Sequence, residues 1–160
     1  MATIDQEFLA LVERHQGILH KVCRSYADNE ADRRDLMQEI LYQLWRSYRG
    51  YDGRASFSTW MYRIAVNTAI SGLRKLRAMV ATDPLDERLA APNVVHDELL
   101  ERLHAAIRQL EPVQRAMVIM FLDGLSYREI AAALGATENA IGVRMHRVRA
   151  RLSELLGEGR

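Results

Sequence analysis

Residues 135–152, GATENAIGVRMHRVRARL, hold four arginines and one histidine against a single acid, Glu138. On a helix, at about 100° per residue, they separate into two faces. Ile141, Met145, Val148 and Leu152 recur at steps of four, three and four, an apolar seam that must face a core. The opposite side carries Asn139, Val143, His146 and Ala150, with Arg144, Arg147 and Arg151 along one flank and Arg149 along the other. Short side chains at the centre can approach base edges, and arginines at the margins can reach phosphates; a helix in a major groove needs that division of contacts. Thr137, at the start of the helix, and Ala140, on its first turn, complete the set of candidate duplex contacts.

Charge alone would describe a solvated basic helix on a small bundle. The preceding residues shift the balance toward DNA. Ser126 and Glu129 have the spacing of a capping box ahead of the short apolar run IAAALG. Gly135 can end that helix and Thr137 can cap the next, with Glu138 at its positive end. Residues 126–152 therefore read as helix, tight glycine turn, helix, the spacing of a helix-turn-helix.

A second group lies in SFSTWMYRIAVNTAISGLRK. Phe57, Trp60 and Tyr62 stand just ahead of Asn67, and Arg63, Arg74, Lys75 and Arg77 occur with no acid between residues 63 and 77. Rings beside basic side chains suit single-stranded DNA, whose unpaired bases stack while its backbone follows positive charge. Helical spacing equally suits a core; Phe57 is expected to be core, and Trp60 is open between the two. On the run RRDLMQEILYQLW, Asp35, Gln38 and Glu39 are polar neighbours, and periodicity alone makes them an ordinary exposed face.

Other chemistries lack their residues. The five histidines, His15, His20, His96, His104 and His146, show no metal-ligand spacing, and His15 and His20, five apart, do not stack on one helical face. No glycine-rich phosphate loop and no activated-serine motif occurs, so no enzyme, metal or cofactor is expected. The single Cys23 cannot form an internal disulfide and reads as a small core residue. No run of 18 apolar residues exists to span a membrane, and acids interrupt the apolar run of MATIDQEFLALVERHQ, unlike a secretory signal. A cytoplasmic location is expected.

The elements that must position these residues are all helical. Phe8, Leu11, Val12, Ile18, Leu19, Val22 and Tyr26 recur near 3.6, as do Leu36, Ile40, Leu44, Trp45 and Tyr48. YRGYDGRAS reads as a loop, after which Ser56 or Ser58 can cap a helix running through Trp60, Ile64, Ala65 and Leu73. Residues 78–96 lose the period, contain Pro84 and Pro92, and open an acidic stretch with six acids against one arginine over residues 83–101. They read as a linker with one short helical turn in LDERLAA. Pro112 suits the first turn of a helix that stops at Asp123-Gly124. The expected architecture is all-α: a domain over residues 1–77, a linker over 78–96 and a second domain over 97–160. With 160 residues, 49% of them hydrophobic, 27% charged and a net charge of +1, the chain has the proportions of a folded protein, with its positive charge concentrated in two segments.

DLMQEILYQLW, FSTWMYRIAVNTAI and LEPVQRAMVIMFLDGLSYREIAAALGATENAIGVRMHRVRARL together resemble the signature segments of extracytoplasmic-function sigma factors, in order and separation, from about residue 5 to 155. The resemblance implies a promoter-specificity subunit without catalysis of its own. Residues 5–77 would bind the clamp helices of core RNA polymerase and open the −10 element. Residues 97–156 would read the −35 element and pack on the flap of the β subunit. By position, Asp35, Gln38 and Glu39 match the polymerase-binding motif. Asn67 and its helical neighbours match a face on duplex DNA upstream of the bubble, so Arg63, Arg74 and Lys75 join it as −10 contacts. The loop from Arg49 to Ser58, with Trp60, would hold a flipped base, and Arg144 and Arg147 match basic positions of the recognition helix. An anti-sigma protein is an implied partner. Two departures stand out. The family motif has Thr-Val-Lys-Ser where this chain has Ala140-Ile141-Gly142-Val143, and Asp32-Arg33-Arg34 replaces a commoner Ala-Glu. The alternative from the residues themselves is a free-standing helix-turn-helix regulator whose first half dimerises or senses.

Overall fold

The computed structural model describes residues 2–80 and 98–157, which form eight α-helices. The order is α1 (Ile4–Arg14), α2 (Gln16–Tyr26), α3 (Glu30–Tyr48), α4 (Phe57–Val80), α5 (Glu98–Arg108), α6 (Pro112–Leu122), α7 (Tyr127–Leu134) and α8 (Glu138–Gly157). Among the described residues there is no strand, as the period required. The chain divides into two compact units, Met1–Lys75 and Leu76–Arg160. The helix α4 continues to Val80, so residues 78–80, read from sequence as the start of a linker, are helical. The rest of that linker, with the short turn expected in LDERLAA, lies outside the described residues.

In the N-terminal unit α1, α2 and α3 follow each other and α4 completes the core. Ile18, Leu19, Val22 and Tyr26 from α2 are buried with Ile40 and Leu44 from α3 and with Met61, Tyr62, Ala65, Val66 and Ala69 from α4. A capping box between Thr3 and Gln6 starts α1, and the Asn29 side chain accepts from the Asp32 N–H at 2.8 Å to start α3. A break at His15 separates α1 from α2, although the apolar period runs across it without a proline. The His15 ring Nδ1 lies 2.9 Å from the Leu11 carbonyl, a position from which it serves an end-of-helix acceptor. Arg33 Nε donates to the Ala27 carbonyl at 3.1 Å, just past the end of α2. Its positive charge complements that helix terminus, which gives the first of the two unusual arginines a structural role. Arg34, the second, pairs with Glu30 at 3.5 Å on the exposed surface, a pair that contributes little to stability. Cys23 is core, as its neighbours implied. Burial pushes its thiol up to about 11, against the opposing pull of the Arg33 charge, so it stays protonated at neutral pH.

In the C-terminal unit α6 is the central element. Ala116, Met117, Val118, Ile119 and Met120 are buried in succession, so the middle of α6 is covered on all sides, while Val113, Phe121 and Leu122 towards its ends are exposed. Pro112 occupies its first turn and Gly124 closes its end with φ 88°. The helix α8 packs on α5, α6 and α7. Arg102 of α5 donates to the Leu156 carbonyl at 3.0 Å and so serves the C-terminal end of α8.

Candidate nucleic-acid interface

The turn between α7 and α8 is built as the sequence indicated. Ser126 Oγ accepts from the Glu129 N–H at 3.1 Å and Glu129 Oε1 accepts from the Ser126 N–H at 3.0 Å, a complete capping box. Gly135 takes φ 70° and ψ 34° at the end of α7, a left-handed conformation that an L side chain would strain. Thr137 Oγ1 then accepts from the Ala140 N–H at 3.1 Å and starts α8. The Thr137 oxygen, a candidate DNA contact, is therefore also committed to the helix cap.

This turn delivers α8 with its two faces sharply divided. Ile141, Met145 and Val148 are fully covered and Leu152 is half-buried, whereas Asn139, Val143, Arg144, His146, Arg147 and Ala150 are exposed. Ala140 is half-exposed at the edge of that outer face. The two remaining arginines have protein partners. Arg151 pairs with Glu154 at 3.2 Å, and the Arg149 guanidinium lies 4.5 Å from the centre of the Phe121 ring on α6. Gly142 turns toward α7, where a Cβ would stand 3.9 Å from the Tyr127 ring, an ordinary contact. Its place is beside its own neighbour helix rather than at the centre of the outer face.

In the N-terminal unit the candidates separate by face. Tyr62 is fully buried and Phe57 nearly so, so neither ring is available to stack on a base. Trp60 is half-buried within an aromatic cluster, 5.0 Å from the Tyr51 ring, 5.3 Å from Phe57 and 6.2 Å from Tyr48, centre to centre. The loop beside it is ordered by its own bonds. The Tyr51 hydroxyl donates to the Ala55 carbonyl at 2.6 Å, Asp52 Oδ1 accepts from the Arg54 N–H at 3.0 Å, and Gly53 takes φ 78°. Ser56, the nearer of the two predicted caps, accepts from the Thr59 N–H at 3.2 Å and so orients the start of α4.

Arg63, Asn67, Arg74 and Lys75 are all exposed along α4. At helical spacing Arg63 and Arg74 share one stripe, three turns apart. Asn67 lies on the same stripe, one turn after Arg63, and with Lys75 also lines a groove with Thr68, Ser71 and Gly72 of α4, across from Glu39 and Gln43 of α3. The Gln43 amide donates to Glu39 at 3.0 Å on the α3 side of that groove. Asp35, Gln38 and Glu39 are exposed on α3, and their stripe continues to Tyr42, which is 56% exposed. Trp45, expected in the apolar run, is 43% exposed, and its ring meets that of Phe8 edge-on, 5.4 Å centre to centre. Tyr42 and the groove residues Gln43, Thr68 and Ser71 escaped the sequence reading. The i+3 and i+4 steps from Gln38 and Glu39 were available to find Tyr42; nothing in the sequence pairs α3 with α4 across a groove.

Two helical units, one ending in a helix-turn-helix with an exposed basic face, the other carrying a basic helix beside clustered aromatics, define a class of DNA-binding protein. Residues 11–79 match the family model Sigma-70 region 2, and residues 100–152 match Sigma-70, region 4. The chain is 32% identical over 158 residues to the ECF RNA polymerase sigma factor SigE of Mycolicibacterium smegmatis, covering 92% of this chain and 61% of that one. It is 30% identical over 151 residues to the ECF RNA polymerase sigma factor SigM of Mycobacterium tuberculosis, covering 94% of this chain and 77% of the relative. Among solved structures, the sigma factor RpoE in complex with the anti-sigma factor NepR from Bartonella quintana matches with a TM-score of 0.75 at 25% identity, covering 98% of each chain. The chain belongs to the extracytoplasmic-function family of RNA polymerase sigma factors. It spans 61% of the length of SigE.

Proposed function

We propose that this chain binds core RNA polymerase and directs promoter-specific initiation, adding no catalytic group of its own and working in the cytoplasm. Among the described residues no helix is long and apolar enough to cross a membrane. In this reading α8 enters the major groove of the −35 element, with Asn139, Val143, His146 and Arg147 nearest the bases and Arg144 at the phosphates. The observation that carries it is the division of α8: a seam packed against three helices leaves a continuous outer face of exposed residues, Arg144 and Arg147 among them, in a helix-turn-helix setting. Arg149 and Arg151 contribute positive field from the flanks, held by Phe121 and Glu154.

The N-terminal unit takes the other two tasks. Exposed Asp35, Gln38 and Glu39 form the polymerase-binding face of α3, and Arg63, Asn67, Arg74 and Lys75 of α4 meet −10 DNA. Trp60 and the ordered loop before it receive an unpaired base, whose stacking contributes about 1–3 kcal/mol. An anti-sigma protein, as found with RpoE, is the partner expected to compete for these surfaces. The domain division proposed is residues 1–77, 78–96 and 97–160; the region 4 match, 100–152, falls inside the last, and the region 2 match, 11–79, runs two residues beyond the first.

The test is reconstitution. The purified chain is mixed with sigma-free bacterial core polymerase and transcribed on fragmented genomic DNA from the same source. Discrete transcripts that require the chain, and a complex with core on a sizing column, are expected. DNA binding by the chain alone, with no core complex and no transcript, would establish the free-standing regulator instead.

A further inference from the structure

The geometry points to Val143 as a reader of a thymine methyl group in the upstream promoter element. The inference rests on α8 being the recognition helix and adds the chemistry of one base pair to that reading. Val143 is 51% exposed, at the centre of the outer face and about half a helical turn round from Ile141 and Met145, which are closed to solvent. Its neighbours on that face are polar: Asn139 one turn before it, His146 and Arg147 one turn after, all exposed. Ala140 and Ala150 are the other residues nearby on the face, and neither carries a side chain long enough to cover it.

Neither local structure nor the core accounts for a valine here. A β-branched side chain is a poor choice for an exposed helix position, because it loses χ1 freedom against the preceding turn. It also contributes nothing to the seam on the far side. What it does supply is a stiff, apolar, two-methyl tip projecting from a helix whose flanks are basic. The major-groove edges of the four base pairs present hydrogen-bond donors and acceptors, and the apolar feature among them is the C5-methyl of thymine. Asn139 and Arg147, one turn to either side, have the donors and acceptors to read the flanking pairs, so Val143 lies between two polar readers.

The experiment uses holoenzyme assembled from the full chain and core polymerase. Promoter duplexes randomised over the upstream segment are selected for binding. Each thymine of the enriched sequence, in either strand, is then replaced singly by deoxyuridine, which removes only the methyl group. At one position the replacement is expected to weaken binding about three- to fivefold, as loss of one buried methyl does. Val143→Ala holoenzyme should bind the thymine duplex more weakly by a similar factor and should not distinguish the two duplexes. Val143→Thr, of the same shape but with one methyl replaced by a hydroxyl, should keep the fold and show a preference between those of the valine and alanine chains. An enriched sequence at which every deoxyuridine is neutral, or which contains no thymine, overturns the inference while leaving α8 as the recognition helix. A methyl effect that persists unchanged in Val143→Ala overturns it as well. No enrichment of any upstream sequence overturns the recognition-helix reading and the inference with it.

Discussion

The two units carry surfaces of different construction. In the C-terminal unit the candidate contacts Asn139, Val143, His146 and Arg147 lie on one face of one helix, and a single buried seam aims them. In the N-terminal unit Asn67 and Lys75 come from α4 and share a groove with Glu39 and Gln43 from α3, while Trp60 depends on rings from the intervening loop and from the end of α3. The first surface is held by the interior of its unit, so a defect in that interior should remove it whole. The second is assembled between elements, so its parts should fail separately. One helix face suits a regular duplex of fixed groove width. A surface drawn from several elements suits a substrate that changes form, as duplex DNA does when it opens.

The largest expected effect divides the units. Met145 is closed to solvent beneath α8, and Met145→Asp places an unpaired charge among apolar neighbours at a cost of several kcal/mol. The C-terminal unit should unfold and upstream-element recognition should vanish. The N-terminal unit should keep its own thermal transition and its affinity for core polymerase. Calorimetry and sizing with core read both, and simultaneous loss of both transitions would break the comparison.

Within the N-terminal unit the failures should be partial. Trp60→Ala should slow promoter opening by about tenfold or more, the effect of one lost stacking contact of about 1–3 kcal/mol, and Trp60→Phe should restore part of it. Binding to closed duplex promoter DNA, followed by gel shift at low temperature, should barely change. An equal loss at both steps would mean that Trp60 serves only the aromatic cluster.

Alkaline pH should also tell the units apart, since the chain's one cysteine lies in the N-terminal unit. The folded Cys23 thiol is pushed from 9.0 up to about 11 by burial. Its contribution is therefore fully present below about pH 9 and is lost as pH rises through 11. The N-terminal transition should fall over that window relative to Cys23→Ala, and the C-terminal transition should be indifferent to the substitution. The smallest effect is Gly142→Ala. The new Cβ meets Tyr127 at ordinary distance, so the substitution should stabilise α8 by up to about 1 kcal/mol and leave DNA binding unchanged. A loss of binding there would place Gly142 against DNA.

How far each surface was legible follows from its construction. The start and stop of α7 and the start of α8 were written in Ser126, Glu129, Gly135 and Thr137, local signals acting within four residues, and the structure has each in its expected place. The division of α8 followed from spacing alone. By contrast, the break at His15 has no local signal strong enough to interrupt an apolar period that runs through it. Tyr62 and Trp60, two residues apart, have the same aromatic character in sequence, yet one is fully buried and the other half-exposed. Which ring faces the core depends on where α2 and α3 lie, and a single helix cannot report that. The groove between Glu39 and Lys75 needs two helices to exist, so no pattern in either one announces it.

The central claim is that the two units do separable work, and the most direct measurement is a footprint of three holoenzymes on one selected promoter. With the unaltered chain, protection should cover both the upstream and the −10 segments. With Arg147→Ala, core binding and −10 protection should persist, while discrimination at the upstream element falls about tenfold, within the 1–3 kcal/mol of a lost base contact. With Asp35→Ala, the affinity for core should drop and both footprints should fade together, in proportion to the holoenzyme that remains. If Arg147→Ala weakened core binding as much as it weakened the upstream footprint, or if Asp35→Ala erased the upstream footprint with core binding intact, the division of labour would be contradicted.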